Sequence, residues 1–139
     1  MKLSQLYEDQ HPDPAKMTPE EAFRYAHDVI KDRWPEGEEI IKKDPECAYF
    51  YALNVIQDRW PEGEEIIKKD PYWAYYYARF VIKDRWPEGE EAIKKDPYWW
   101  KKYQKDVLLP WQKKQEWIKR GEEFQKRTGK LPDEDVFGP

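Results

Sequence analysis

Apolar positions recur along this chain with a period of 26 residues. In the unit that opens at Pro71, Ala74, Tyr77, Ala78, Val81 and Ile82 stand at i, i+3, i+4, i+7 and i+8, which is one face of a helix. That helix should run for about 14 residues, four turns at the usual helical repeat. Behind it the pattern shortens to PEGEEIIKK, an amphipathic stretch of about two turns with Glu at its start and Lys-Lys at its end, the order that complements the helix dipole. A helix of two turns is unstable alone in water, so each unit has to lean on its neighbours. Stacked helix pairs follow from that requirement.

The repeat itself is read without ambiguity. VIKDRWPEGEEIIKKDP at 29–45, VIQDRWPEGEEIIKKDP at 55–71 and VIKDRWPEGEEAIKKDP at 81–97 align without gaps, and a fourth copy starts at Pro97 and leaves the pattern at Pro110. Such self-similarity is the signature of a solenoid. Thr18, Asp44, Asp70 and Asp96 are N-cap residue types placed directly before a proline, an arrangement suited to cap and first helical position. Pro35, Pro61 and Pro87 are expected to stop each first helix, because the residue before a proline is pushed out of the α region, and to open the second. The expected fold is all-α: a short α-solenoid of helix-pair repeats with capping helices at both ends. Residues 1–17 form the N-terminal cap and 18–43, 44–69 and 70–95 the three repeats. A partial fourth repeat spans 96–110, a C-terminal cap helix 111–127 and a mobile tail 128–139.

At the corner between the two helices stand Trp34, Trp60 and Trp86. Burying one such ring removes about 150–250 Å² from water, worth at most about 4–6 kcal/mol, so these rings should hold successive repeats together. Arg33, Arg59 and Arg85 should pair with the carboxylates of Glu38 or Glu39 and their equivalents. Leu3, Leu6 and Tyr7 have the spacing of a short helix that covers the first repeat, and Trp117, Gly121 and Phe124 form a narrow apolar stripe on the last helix. Polar-faced ends are what a solenoid needs. Within the tail, Val136-Phe137 is a candidate interaction motif.

Composition sharpens this picture. The chain has 139 residues, a net charge of -4, 39% charged residues and 17% aromatics, eight of them Trp, with a mean hydropathy of -1.17. Such polarity usually marks disorder, but disordered chains are poor in aromatics, so the core must be built from Trp, Tyr and Phe. No run of 18 apolar residues is present, so no membrane span is expected. A single cysteine, Cys47, excludes an internal disulfide framework. With no apolar signal-peptide core at the N-terminus, the expected compartment is the cytoplasm.

The R-W-P-E-x-E corner of Arg59-Trp60-Pro61-Glu62-Gly63-Glu64, followed by D-P-x-x-A-Y-x-Y-A from Asp70-Pro71 to Ala74-Tyr75-Tyr76-Tyr77-Ala78, resembles the 26-residue helical repeats of bacteriophage and large DNA virus proteins. The resemblance covers residues 18–109. It implies a helical solenoid and brings no catalytic residues with it. A viral setting would imply a protein that binds a host factor, of counter-defence or inhibitor type.

Function should lie where the near-identical copies differ. On a helical wheel, four ladders stand opposite the buried stripe: Glu20/Glu46/Tyr72/Tyr98, Arg24/Phe50/Tyr76/Lys102, His27/Leu53/Arg79/Lys105 and Lys31/Gln57/Lys83/Leu109. Phe50, Leu53, Tyr72, Tyr76 and Arg79, joined by Lys102 and Lys105, are the candidate partner-binding residues, since aromatics with Arg compose protein-recognition hot spots. The alternative is nucleic-acid binding by 96–130, which holds ten Lys/Arg against five Asp/Glu interleaved with Trp and Tyr. The acidic remainder of the chain opposes it. Catalysis has the least support. His11 and His27 lack partners at ligand spacing, the Glu36, Glu38 and Glu39 cluster is copied in every repeat, and Cys47 reads as a core filler. No cofactor or metal is expected, no membrane, and the protein should be a monomer or a homodimer.

Overall fold

Each first helix starts at the expected cap. In the computed structural model, which describes residues 2–132, Thr18 closes a capping box with Glu21, and the carboxylates of Asp44, Asp70 and Asp96 accept from the backbone N–H groups of Cys47, Trp73 and Trp99. The element order is α1 (Leu3–Gln10), a 3-10 turn (Pro14–Lys16), α2 (Pro19–Tyr25), α3 (Pro35–Ile41), α4 (Pro45–Phe50), α5 (Pro61–Ile67), α6 (Pro71–Tyr76), α7 (Pro87–Lys94), α8 (Pro97–Tyr103) and α9 (Leu109–Thr128). The described residues contain helices and no strand, stacked as successive pairs in a short helical-repeat solenoid.

The first helix of every copy ends in a wide π turn: Ala26–Ile30, Tyr51–Ile56, Tyr77–Ile82 and Gln104–Leu108 follow α2, α4, α6 and α8. In three copies the next residue, Lys31, Gln57 or Lys83, is left-handed, with φ near 60°. Its N–H closes the turn on the carbonyl of Ala26, Ala52 or Ala78 at 2.7–2.8 Å. The prolines therefore do not stop the first helix; it has ended several residues earlier, and Pro35, Pro61 and Pro87 act only as the first residue of the second helix. Between the two helices, the Asp32, Asp58 and Asp84 carboxylates accept from the following Arg N–H at 2.7 Å, which shapes the corner.

In the fourth copy the aligned residue is Leu109, and it stays right-handed with φ -63°. The chain runs helically from Pro97 through Thr128 instead of turning. Residues 111–127 are thus the continuation of α8, not a separate cap helix behind a break at Pro110. Leu is a good helix former, and no Asp-Arg-Trp-Pro corner follows it. On α9, Gly121 is buried against Pro132 and Trp117 and Phe124 are half-buried. The helix ends at the left-handed Gly129. Thr128 therefore belongs to the helix, residues 129–132 follow it with Pro132 against Gly121, and the remainder of the expected tail, 133–139 with Val136-Phe137, lies outside the described residues.

At the other end the expected cap differs. Leu3 is 86% exposed and Leu6 41%, so neither covers the first repeat; the Tyr7 side chain lies outside the described residues. The covering group is His11, whose Nδ1 lies 2.5 Å from the Tyr25 hydroxyl with the rings edge to face.

The core is the predicted aromatic spine. Trp34, Trp60 and Trp86, Tyr51, Tyr75, Tyr77 and Tyr103, and Ile41, Ile67 and Ile93 are fully buried. Each Tyr of the corner does two things. The Tyr77 ring packs 4.9 Å from Trp86 of its own copy, while its hydroxyl accepts from the Trp60 backbone N–H at 2.8 Å and donates to Glu64 at 2.8 Å. Arg59 grips the same carboxylate from Nε and Nη2 at 2.8 and 3.2 Å. The relay repeats as Arg33–Glu38–Tyr51–Trp34 and Arg85–Glu90–Tyr103–Trp86. So Glu38 takes the arginine, and Glu39 pairs instead with Lys42. Burial of Glu90 opposes its ionisation, yet the bonds from Arg85 and Tyr103 win and lower its pKa. Burial pushes the Tyr51, Tyr77 and Tyr103 phenols well above their usual value. Gly37, Gly63 and Gly89 complete the corner, because a Cβ at any of them would overlap the Trp ring lying on the helix start.

Candidate functional site

Because the copies stack in register, the first helices present the same interface three times: between copies one and two, two and three, and three and four. Leu53 lines one of them together with Phe80 of the next copy, and Arg79, at the Leu53 position of that copy, reaches Asp106 of the following one. What fills each interface is set by the variable residues, and the three outcomes differ.

The middle interface is an open apolar groove of about 390 Å³ lined by Tyr49, Phe50, Leu53, Tyr72, Trp73, Tyr76 and Phe80. Its rings form one connected cluster. Tyr49 meets Trp73 at 5.3 Å, Phe50 meets Trp73 at 5.7 Å, Tyr72 meets Tyr76 at 4.8 Å, and Phe80 stacks on Tyr76 at 5.8 Å with an interplanar angle of 19°. Tyr72 and Phe80 remain 40% and 39% exposed, while Phe50, Leu53 and Tyr76 are half-buried against the core. Burial raises the Tyr49 phenol to about 12, so the floor of the groove is uncharged at neutral pH.

At the interface of copies three and four the same positions are closed by a polar latch. The Tyr75 hydroxyl donates to Asp106 at 2.6 Å and accepts from Arg79 at 2.7 Å, and Arg79 lies 3.3 Å from Asp106. Burial, with Asp106 beside it, pushes Tyr75 up to about 12. Lys102 lies over the Tyr75, Tyr98 and Trp99 rings at 5.5–5.9 Å. Between copies one and two, Phe23 approaches Phe50 at 6.4 Å, and Arg24 pairs with Glu20 on an exposed surface.

Of the seven residues read from the sequence, the structure therefore gathers Phe50, Leu53, Tyr72 and Tyr76 into one groove. Arg79 turns to Asp106, with its guanidinium 4.9 Å from the outer ring, Phe80. Lys102 covers rings of the neighbouring interface, and Lys105 is exposed on the fourth copy. Tyr49, Trp73 and Phe80 were missed. Tyr49 and Trp73 lie in α4 and α6 outside the four outward ladders, and only Phe80 lies in the π turn, where each residue advances by less than the 100° of an α-helix. Phe80 stacks on Tyr76 four residues before it, while Arg79 bonds the Tyr75 hydroxyl four residues before it. One signal was available: Phe80 is aromatic where Asp28, Asn54 and Asp106 are polar.

Cys47 is buried, and burial together with Asp44 raises its thiol to about 12, which suppresses the thiolate. Among the described residues, no three His, Cys, Asp or Glu side chains are placed to hold a metal ion, and no helix is long and apolar enough to cross a membrane.

The fold and site define a helical-repeat protein with an apolar inter-repeat groove between its second and third copies. Comparison with known families, curated proteins and solved structures returns no match.

Proposed function

We propose that this chain is a non-catalytic protein-interaction module that receives an apolar segment of a partner protein in the groove between its second and third copies. The observation that supports this is the contrast between two equivalent interfaces. The interface of copies three and four is latched by Arg79, Asp106 and Tyr75, whereas the middle one leaves a ring cluster in contact with water, where it gains free energy by being covered. Aromatic clusters of this kind anchor protein partners. Through its resemblance to viral and phage repeats, the partner is a host factor met in the host cytoplasm, and the protein acts as an inhibitor or counter-defence factor. Nucleic-acid binding by 96–130 has less support. Lys102 lies over Trp99 and Tyr98, and Arg85 lies 5.0 Å over Trp111, so these cations are already engaged with rings of the protein itself.

The test is affinity capture from host lysate with wild type, Tyr76→Asp, Phe80→Asp and, as a control away from the groove, Lys105→Glu. A single species retained by wild type and Lys105→Glu and lost with both groove variants is expected. Retention by every variant would place the binding surface elsewhere. Melting curves accompany the capture because Tyr76 packs partly on the core, whereas Phe80 is the more exposed probe.

A further inference from the structure

Three rings of the groove recur in register at the next interface. Tyr49, Tyr72 and Trp73 align with Tyr75, Tyr98 and Trp99, one repeat further on. Over that second set lies an ammonium. Lys102 Nζ stands 5.9, 5.6 and 5.5 Å from the Tyr75, Tyr98 and Trp99 centroids, which are cation–π distances. Lys102 aligns with Tyr76, so at the middle interface a fourth ring stands where the next interface has a charge. Tyr76 meets Tyr49 at 6.2 Å, Tyr72 at 4.8 Å and Trp73 at 6.1 Å. The ring positions that hold a cation are kept, another ring is added, and the chain's own cation is gone.

The lining decides which cation fits. Among the described residues, none that lines the groove is charged. No carboxylate there receives the N–H groups of a primary ammonium drawn out of water, and burying such a charge is costly. A quaternary ammonium has no N–H to satisfy and is held by ring faces. The rim is compatible with positive charge. Arg79 lies 4.9 Å from the outer ring, Phe80, but Asp106 meets its charge at 3.3 Å. Burial, Tyr76 and then Glu46 raise the Tyr72 phenol above its usual value, so the Glu46 carboxylate acts on the groove from the preceding copy.

We propose that the groove is an aromatic cage for a trimethylated lysine side chain of a partner protein, whose flanking apolar residues cover Tyr72 and Phe80. This rests on the reading of the groove as a docking surface and names the group that docks. Calorimetric titration of the full-length chain with three synthetic alanine–leucine peptides tests it. They differ in one central residue: trimethyllysine, lysine, or the neutral isostere in which a tert-butyl group replaces the trimethylammonium. The trimethyllysine peptide should bind about tenfold or more tighter than the other two. Tyr72→Leu keeps an apolar side chain but removes a ring, and should bring trimethyllysine to within about twofold of the isostere. Tyr76→Lys should give the groove its own ammonium, as Lys102 does at the next interface, and abolish binding of the trimethyllysine peptide. Tyr72 is 40% exposed, so Tyr72→Leu carries the test if Tyr76→Lys melts early.

Equal binding of the isostere or of the lysine peptide overturns the inference, since the groove would then read apolar area or charge alone. A trimethyllysine preference that survives both substitutions overturns it too, because the cation would sit elsewhere. So does binding to phosphatidylcholine vesicles, which carry the same trimethylammonium group, without binding to any peptide. If no peptide binds while lysate capture still depends on Phe80, the cage fails and the docking reading stands. If neither peptide binding nor capture depends on the groove, both readings fail.

Discussion

The interface between copies two and three and the interface between copies three and four use the same helix positions and the same corner frame, yet one is an open groove and the other a closed latch. Two substitutions in register account for most of the difference. Leu53 faces Phe80 in the groove, and at the aligned positions Arg79 faces Asp106 in the latch. Tyr75, the counterpart of Tyr49, then finds a charged pair for its hydroxyl. The frame thus carries stability and leaves the outer positions free to vary, which separates what holds the protein up from what it presents.

The strongest challenge to that separation is the frame itself. Trp60→Ala should destabilise by about 3–5 kcal/mol, enough to abolish a cooperative melt in a protein of this size, and both interfaces should go together; a melt confined to one of them would show that the copies do not share a frame. Alkaline titration comes next. Tyr49 and Tyr75 have phenols raised from 10 to about 12 by burial, and the corner tyrosines are raised too. The unfolded chain therefore releases these protons first. Their contribution is complete below pH 10 and is lost as pH rises from 10 to about 12. Melting midpoints should fall steeply through that window, in step with the appearance of phenolate absorbance.

Smaller changes address single contacts. Tyr77→Phe removes the hydroxyl shared by the Trp60 N–H and Glu64 and should cost about 1–3 kcal/mol by chemical denaturation, while Tyr75→Phe, which breaks only the latch, should cost about 1 kcal/mol. The paired change Arg79→Leu with Asp106→Phe rewrites the latch with the groove's own residues. Exchanging an ion pair for apolar groups is often near neutral, so stability should hold while binding of an environment-sensitive apolar dye rises, reporting a second groove. The smallest effect belongs to Gln57→Gly. It relieves a left-handed residue with a side chain and should alter stability by less than about 1 kcal/mol, in the stabilising direction.

The repeat, the capped helix starts, the Trp corner and the Arg–Glu pairing were legible in the sequence because each is a local rule applied three times. The groove was legible in part. Phe50, Leu53, Tyr72 and Tyr76 emerged from comparing copies, whereas Tyr49 and Trp73, in α4 and α6, stand outside the outward ladders, and Phe80 lies in the π turn, where a wheel drawn at 100° per residue loses phase. No residue type announces that turn here. Its closing residue is left-handed, but Lys and Gln occupy it where glycine would be the usual sign. The role of His11 was hidden for another reason: it substitutes for a Trp corner that the first copy has no predecessor to supply, and only the folded chain brings it to Tyr25.

The right-handed conformation of Leu109 decides how such a chain can change its length. Every corner tyrosine finds its Trp partner 17 residues upstream, whichever copy supplies it, so an added unit of 26 residues between Asp44 and Lys95 keeps each contact in register. Nothing can be added after the fourth copy, where the helix runs on and no corner forms to receive a fifth. Gene duplication can therefore lengthen this protein only from within, in whole units, and each insertion creates one more interface whose outer residues are free to become a latch or a groove.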